Sequence, residues 1–325
     1  MTAYLLRRLL YAVPILIGVN LLTFALFFVV NSPDDMARLH LGNKHVTADA
    51  IATWKRAHGY DRPLLYAPQS NGLGRFTDTL FFEKSARLLV LDFGHADDGR
   101  DIGRDIRQRM GPSLAIAVPG LILGLLTNIT LALGAVFVRG SGLERAAVFL
   151  AVVGMSISTL FYIIGAQYLL AKLLNLAPVS GWQDGWGGLK FLILPLLVGV
   201  VSGIGGGLRW YRLLFLEEAG KDYVRTARAK GLSEGRVLGR HLLRNAAIPI
   251  LTGVVAVIPL LFMGGLLTES FFAIPGLGSY TIDAIQSQDF SIVRAMVFLG
   301  ALLYLLGLLL TDVSYTLADP RVRLQ

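Results

Sequence analysis

The sequence predicts an all-α membrane protein with six transmembrane helices and a small external subdomain after the first of them. Three observations lead there. Hydrophobic residues make up 54% of the 325-residue chain and charged residues only 16%, whereas soluble domains run nearer a quarter charged. Charge-free runs at Leu9–Val30, Met110–Val138, Ala146–Ala171, Phe191–Leu208, Ala246–Thr268 and Ala295–Thr311 are each near the ~20 residues that cross the hydrocarbon of a bilayer. The basic residues gather at the ends of these runs and favour one side of the membrane, as the positive-inside rule requires. That pattern accounts for the net charge of +8 without nucleic acid as a partner.

The elements follow in order. Residues 1–30 form the first membrane helix: its apolar run is longer than the core of a signal peptide, and no small-residue cleavage site follows it. Residues 31–109 are too long for a plain connection and predict an external subdomain. Within it Thr47 or Asp49 starts a capped helix, Tyr60-Asp61-Arg62-Pro63 breaks it, and Asn71-Gly72-Leu73-Gly74 makes a turn. Asp101–Arg109 leads into the second span as a polar helix. Residues 110–325 supply the other five helices. Pro112, Pro119, Pro195 and Pro249 lie in or beside them, where neighbouring helices can satisfy the freed carbonyls. Arg7, Arg8, Arg139, Arg145, the basic loop after the fourth span, Arg321 and Arg323 mark one side as cytoplasmic and place both termini there.

The loop of residues 217–245 is dense in charge and flanked by apolar runs. Tyr223–Lys230 reads as a short helix, and Gly231 stands where a left-handed cap is wanted. Ser233 then caps a second helix, with Glu234 in its first turn, which runs into the next span. Ala and Thr stand opposite the charges of the short helix. Such a face anchors poorly to lipid, which interfacial helices grip with large apolar residues, and fits a protein groove better.

Asp222-Tyr223-Val224-Arg225-Thr226-Ala227-Arg228-Ala229-Lys230-Gly231-Leu232-Ser233, with His241-Leu242-Leu243-Arg244-Asn245-Ala246-Ala247-Ile248-Pro249 behind it, resembles the EAA loop of ABC-importer permeases. More narrowly, it resembles the dipeptide/oligopeptide/nickel permease family. Gly59-Tyr60-Asp61-Arg62-Pro63-Leu64, Leu91-Asp92-Phe93-Gly94, Glu269-Ser270-Phe271-Phe272-Ala273-Ile274-Pro275-Gly276-Leu277-Gly278 and Asp312–Arg321 extend the likeness along almost the whole chain. The resemblance implies an importer-type permease core in a bacterial inner membrane. It implies that Glu218, Ala219, Asp222, Tyr223, Arg225, Thr226, Ala227, Arg228, Ala229, Lys230, Gly231, Leu232 and Ser233 couple to an ATPase. The partners it implies are a second, related permease subunit, two ATP-binding subunits and an extracytoplasmic substrate-binding protein, in a membrane of lipid. The substrate stays open among dipeptides, longer peptides, peptide antibiotics and nickel chelates.

No catalytic constellation is present, and no phosphate-binding loop places ATP on this chain. No cofactor is expected. The absence of cysteine excludes disulfides and thiolate metal sites, and the five histidines are scattered, without helical metal spacing. Asn128, Ser156, Ser158, Thr159, Gln167 and Ser202 fall inside spans, where they either line a path or form interhelical hydrogen bonds. Glu269 and Asp312 stand at span edges. A self-contained carrier predicts midplane charges and internal repeats, and an intramembrane enzyme predicts paired catalytic groups. The sequence shows neither. Without charge at mid-depth, selection among substrates is expected to rest with the binding protein.

Overall fold

The computed structural model describes residues 2–42 and 46–318, so His45 and the Asp319–Arg321 end of the C-terminal motif lie outside the described residues. Fifteen α-helical segments follow in chain order among the described residues: α1 (Thr2–Phe24), α2 (Pro33–Leu41), α3 (Ala48–Ala57), α4 (Gly74–Thr77), α5 (Leu80–Lys84), α6 (Ile102–Phe137), α7 (Gly142–Ser156), α8 (Thr159–Ala166), α9 (Leu189–Ala219), α10 (Asp222–Ala229), α11 (Glu234–Arg236), α12 (Leu243–Val257), α13 (Leu266–Phe271), α14 (Leu277–Ser287) and α15 (Phe290–Ala318). No strand occurs among these residues; the one β-bridge joins His95 and Asp101.

Among the described residues five stretches are long and apolar enough to cross a bilayer: Leu6–Val30, Ile102–Phe137, Trp186–Ala219, Glu234–Phe271 and Phe290–Ser314. The third expected span is different. Instead of one straight helix over 146–171, α7 and α8 meet at 90°. Ser158 causes the break locally, leaving helical space at φ −60°, ψ 142° and accepting the Leu160 N–H at 3.4 Å to cap α8. The Tyr162 hydroxyl donates to the Gly154 carbonyl at 2.8 Å, supplying a partner where the ladder stops. Counting the bent pair as one span gives six.

Two compact units divide the chain. One holds residues 2–108 and 281–309. Its core is aromatic, with Phe24, Phe28, Met36, Tyr60 and Leu80 buried together. Thr47 starts α3 as expected, accepting the Ala50 N–H at 3.2 Å, and Asn71–Gly74 turns with Gly72 at φ +60°. His40 lies near Asp97, at 3.8 Å, and His58 stacks on Trp54. Asp101 accepts the Arg104 N–H at 2.7 Å and so caps the polar start of α6.

The other unit holds residues 109–280 and 310–318. The Gly203–Gly207 run on α9 serves close helix contact. A Cβ on Gly205 would press into Ala151 and Met155 of α7, and one on Gly207 would strike the Asn128 amide on α6. Small residues allow this approach in membranes, where packing rather than water drives association. A second cluster gathers Ala132, Val136, Phe215, Ala219, Leu238, Leu242, Ala246 and Ile250. It joins the end of α6, the end of α9 and the start of α12 directly beneath the charged loop.

Candidate functional site

The charged loop is a short helix carried on two packed stalks. α9 ends at Ala219, and α10 begins three residues later at Asp222, in the turn closed by Lys221 N–H to the Glu218 carbonyl at 3.1 Å. Val224 and Ala227 point inward and pack on Val237, beside Tyr223 and Leu232. Those residues recur every three to four positions, as one helix face demands. Asp222, Arg225, Thr226, Arg228, Ala229 and Lys230 are left exposed on the other face.

Gly231 ends α10 at φ +75°, a conformation that L side chains rarely adopt. The Leu232 N–H reaches back to the Ala227 carbonyl at 3.4 Å and the Gly231 N–H to Arg228 at 2.9 Å, the paired bonds of a left-handed helix stop. Arg228 spans the turn and donates twice to Glu234, at 2.7 and 3.2 Å. Ser233 differs from expectation in one respect. Its backbone takes the capping conformation and its carbonyl accepts from Arg236 and Val237, but its side chain makes no capping bond. With Glu234 drawn to Arg228, the turn is closed by an ion pair in place of the hydroxyl.

Beneath the loop lies a polar junction. Glu218 is buried and accepts from the Lys221 ammonium and, at 2.7 Å, from the Tyr223 hydroxyl. Burial, then the adjacent Glu218 carboxylate, pushes the phenol up to about 12, so it remains a donor at any cellular pH. One tyrosine on α10 therefore fastens the short helix to the end of α9. The preceding loop is fastened as well. Glu144 accepts the Gly140 N–H at 2.6 Å and the Arg212 guanidinium from α9.

Sequence reasoning singled out Tyr223 and Glu218 but missed Glu144 altogether. The Ser141-Gly142-Leu143-Glu144 spacing of a capping box was the available signal, and the Ser141 hydroxyl does accept from the Glu144 N–H, at 3.3 Å.

Five of the six polar residues inside spans make side-chain hydrogen bonds to backbone groups. Asn128 donates to Gly124 at 2.8 Å, Ser156 to Val152 at 2.8 Å and Ser202 to Gly199 at 3.4 Å, each within its own helix. Ser158 caps α8, which begins at Thr159. Gln167 ties Val179 and Phe271 together, at 3.2 and 3.0 Å. Glu269 stands two residues from the end of the Glu234–Phe271 span and is buried within the protein. It is 1% exposed, and its carboxylate accepts the N–H groups of Gly265, Gly278 and Ser279 at 3.2, 2.7 and 3.1 Å. No group of three or more metal-ligating side chains occurs among the described residues.

Comparison with known proteins decides the family. Residues 120–324 match the family described as binding-protein-dependent transport system inner membrane component, and residues 1–83 match the N-terminal region of such membrane components. The chain belongs to this family. The dipeptide transport system permease protein DppB of Escherichia coli is 30% identical to the permease, over 99% of each chain. DppB of Lactococcus lactis is also 30% identical, over 100% of each. A Brucella abortus chain bearing a peptide transport system permease name is 31% identical over 99% of each. The permease is thus a multi-pass, all-α membrane transport subunit of the ABC-importer type, as the resemblance in its loop implied.

Proposed function

We propose that the permease forms half of the translocation path of an ATP-driven importer for peptides or peptide-like solutes and receives the work of ATP hydrolysis through residues 217–245. The observation that carries this reading is α10: a two-turn helix with one face packed and one face exposed, held by an inflexible Gly231 turn on two stalks that share a core. Closure of a partner ATPase pulls on such a knob, and the stalks transmit the pull as tilt. Relatives bearing dipeptide and peptide transport names support the substrate class.

The arrangement has consequences for assembly. One chain carries one such loop, so two ATP-binding subunits require a second, related permease. ATP is hydrolysed on those partners. An extracytoplasmic binding protein delivers substrate to the external subdomain of residues 31–109, while residues 110–325 form the core and both termini stay cytoplasmic.

Replacing Gly231 by proline tests the coupling role. Proline holds φ near −65° and cannot take the +75° found here. The expected outcome is a G231P chain that inserts normally but no longer copurifies with the ATPase. Undiminished copurification contradicts the assignment.

A further inference from the structure

A cavity of ≈ 260 Å³ opens among α6, α9 and the Gly264–Glu269 segment, with Ser113, Ala117, Gly120, Gly199, Gly264 and Glu269 in its wall. Its other lining side chains are aliphatic or proline apart from Thr268, and Glu269 is the ionisable residue among those described. At ~30 Å³ per water, the space holds roughly nine waters, or one amino-acid residue with its side chain.

The Glu269 carboxylate is built into this wall rather than folded away from it. It lies directly against Gly264 and Ser113, both lining residues: a Cβ on Gly264 or on Gly276 would collide with the carboxylate and the Ser113 hydroxyl. Ser113 accepts the Leu277 N–H at 2.8 Å, which leaves its own proton for Glu269. Three backbone N–H groups donate to the carboxylate and the Ser113 hydroxyl lies beside it, surroundings that suit its anionic form. No Lys, Arg or His forms an ion pair with it among the described residues. An ionisable side chain within a membrane-spanning segment is a functional-site candidate by default.

We propose that this cavity is a transit site for the free α-ammonium group of a peptide-like substrate, with the Glu269 carboxylate as its fixed counter-charge. The proposal rests on the peptide reading above and deepens it. The apolar wall accommodates an organic chain, which an inorganic cation does not need, and the glycines leave room for it. The membrane path then checks one feature common to all free peptides, while the binding protein discriminates among side chains.

The chain contains no cysteine, so Ala117→Cys gives it a single thiol in the cavity wall, and labelling in the full complex is read on this chain alone after the subunits are separated. Its modification by cationic aminoethyl and anionic sulfonatoethyl methanethiosulfonates is measured during turnover, each rate normalised to that of a free thiol. The cationic reagent is expected to react on the order of tenfold faster. A transported peptide with a free amino terminus should slow the labelling, and its N-acetylated form should not. Glu269→Asp should keep the charge preference and Glu269→Gln should lose it.

Equal normalised rates, equal protection by both peptides, protection by neither, or a preference that survives Glu269→Gln each overturn the proposal. If Glu269→Gln fails to assemble, the reagent and peptide comparisons with Glu269 intact decide alone. Copurification of the ATPase with the Ala117→Cys chain is scored in parallel. Its presence keeps the coupling reading standing whatever the cavity shows.

Discussion

Tyr223 concentrates the mechanical argument at a single side chain. Its hydroxyl joins α10 to Glu218 at the end of α9, at 2.7 Å. A phenol pushed up to about 12 favours the fold in its neutral form. Its contribution is therefore complete below the unfolded value of about 10 and is lost as pH rises through about 12. Between pH 6 and 9 this residue should impose no pH dependence on coupling. Removing the hydroxyl is another matter. Tyr223→Phe should cost about 1 kcal/mol of local stability, leave the ATPase bound and reduce the substrate moved per ATP. The ratio of uptake to hydrolysis in proteoliposomes measures this, and an unchanged ratio removes Tyr223 from force transmission. Arg228 and Glu234 should matter less, because the pair is half-exposed and such bridges contribute ~0–1 kcal/mol.

At the level of elements, the contact between α7 and α9 depends on a missing side chain. Gly205 sits against the Ala151 carbonyl and the Met155 backbone, so Gly205→Val forces the helices apart. The expected cost is about 1–3 kcal/mol of overpacking, read as a lower melting temperature of the detergent-purified complex. Gly203→Val, which meets nothing within 4 Å, is the control and should melt as the parent does. Equal melting of the two variants contradicts the close-contact reading. These elements also show what was legible beforehand. Apolar runs located the spans because hydrocarbon imposes a minimum length, and Gly231 announced its turn because few residues take positive φ. The 90° break between α7 and α8 was hidden, because Ser158 reads equally well as a polar residue inside a straight span. The burial of Glu269 at its span edge was hidden for a related reason. Its burial depends on Ser113 and on Gly278, one far away in sequence and the other past the turn. No local pattern records such partners.

For the whole molecule, topology and coupling make separate demands. Single cysteines at Ser70 and Ser233 should be labelled from opposite sides, Ser70 from outside and Ser233 from inside; outside labelling of the Ser233 position alone inverts the chain. Helix α10 then has to face the ATPase. Thr226 lies on its exposed side, away from the packed Val224 and Ala227. The most direct measurement is a short cross-linker on Thr226→Cys in the assembled complex, with products identified by mass spectrometry. The coupling account predicts a cross-link to an ATP-binding subunit and protection of this cysteine from soluble maleimide. A cysteine that labels freely in the complex and cross-links to no ATP-binding subunit would contradict it.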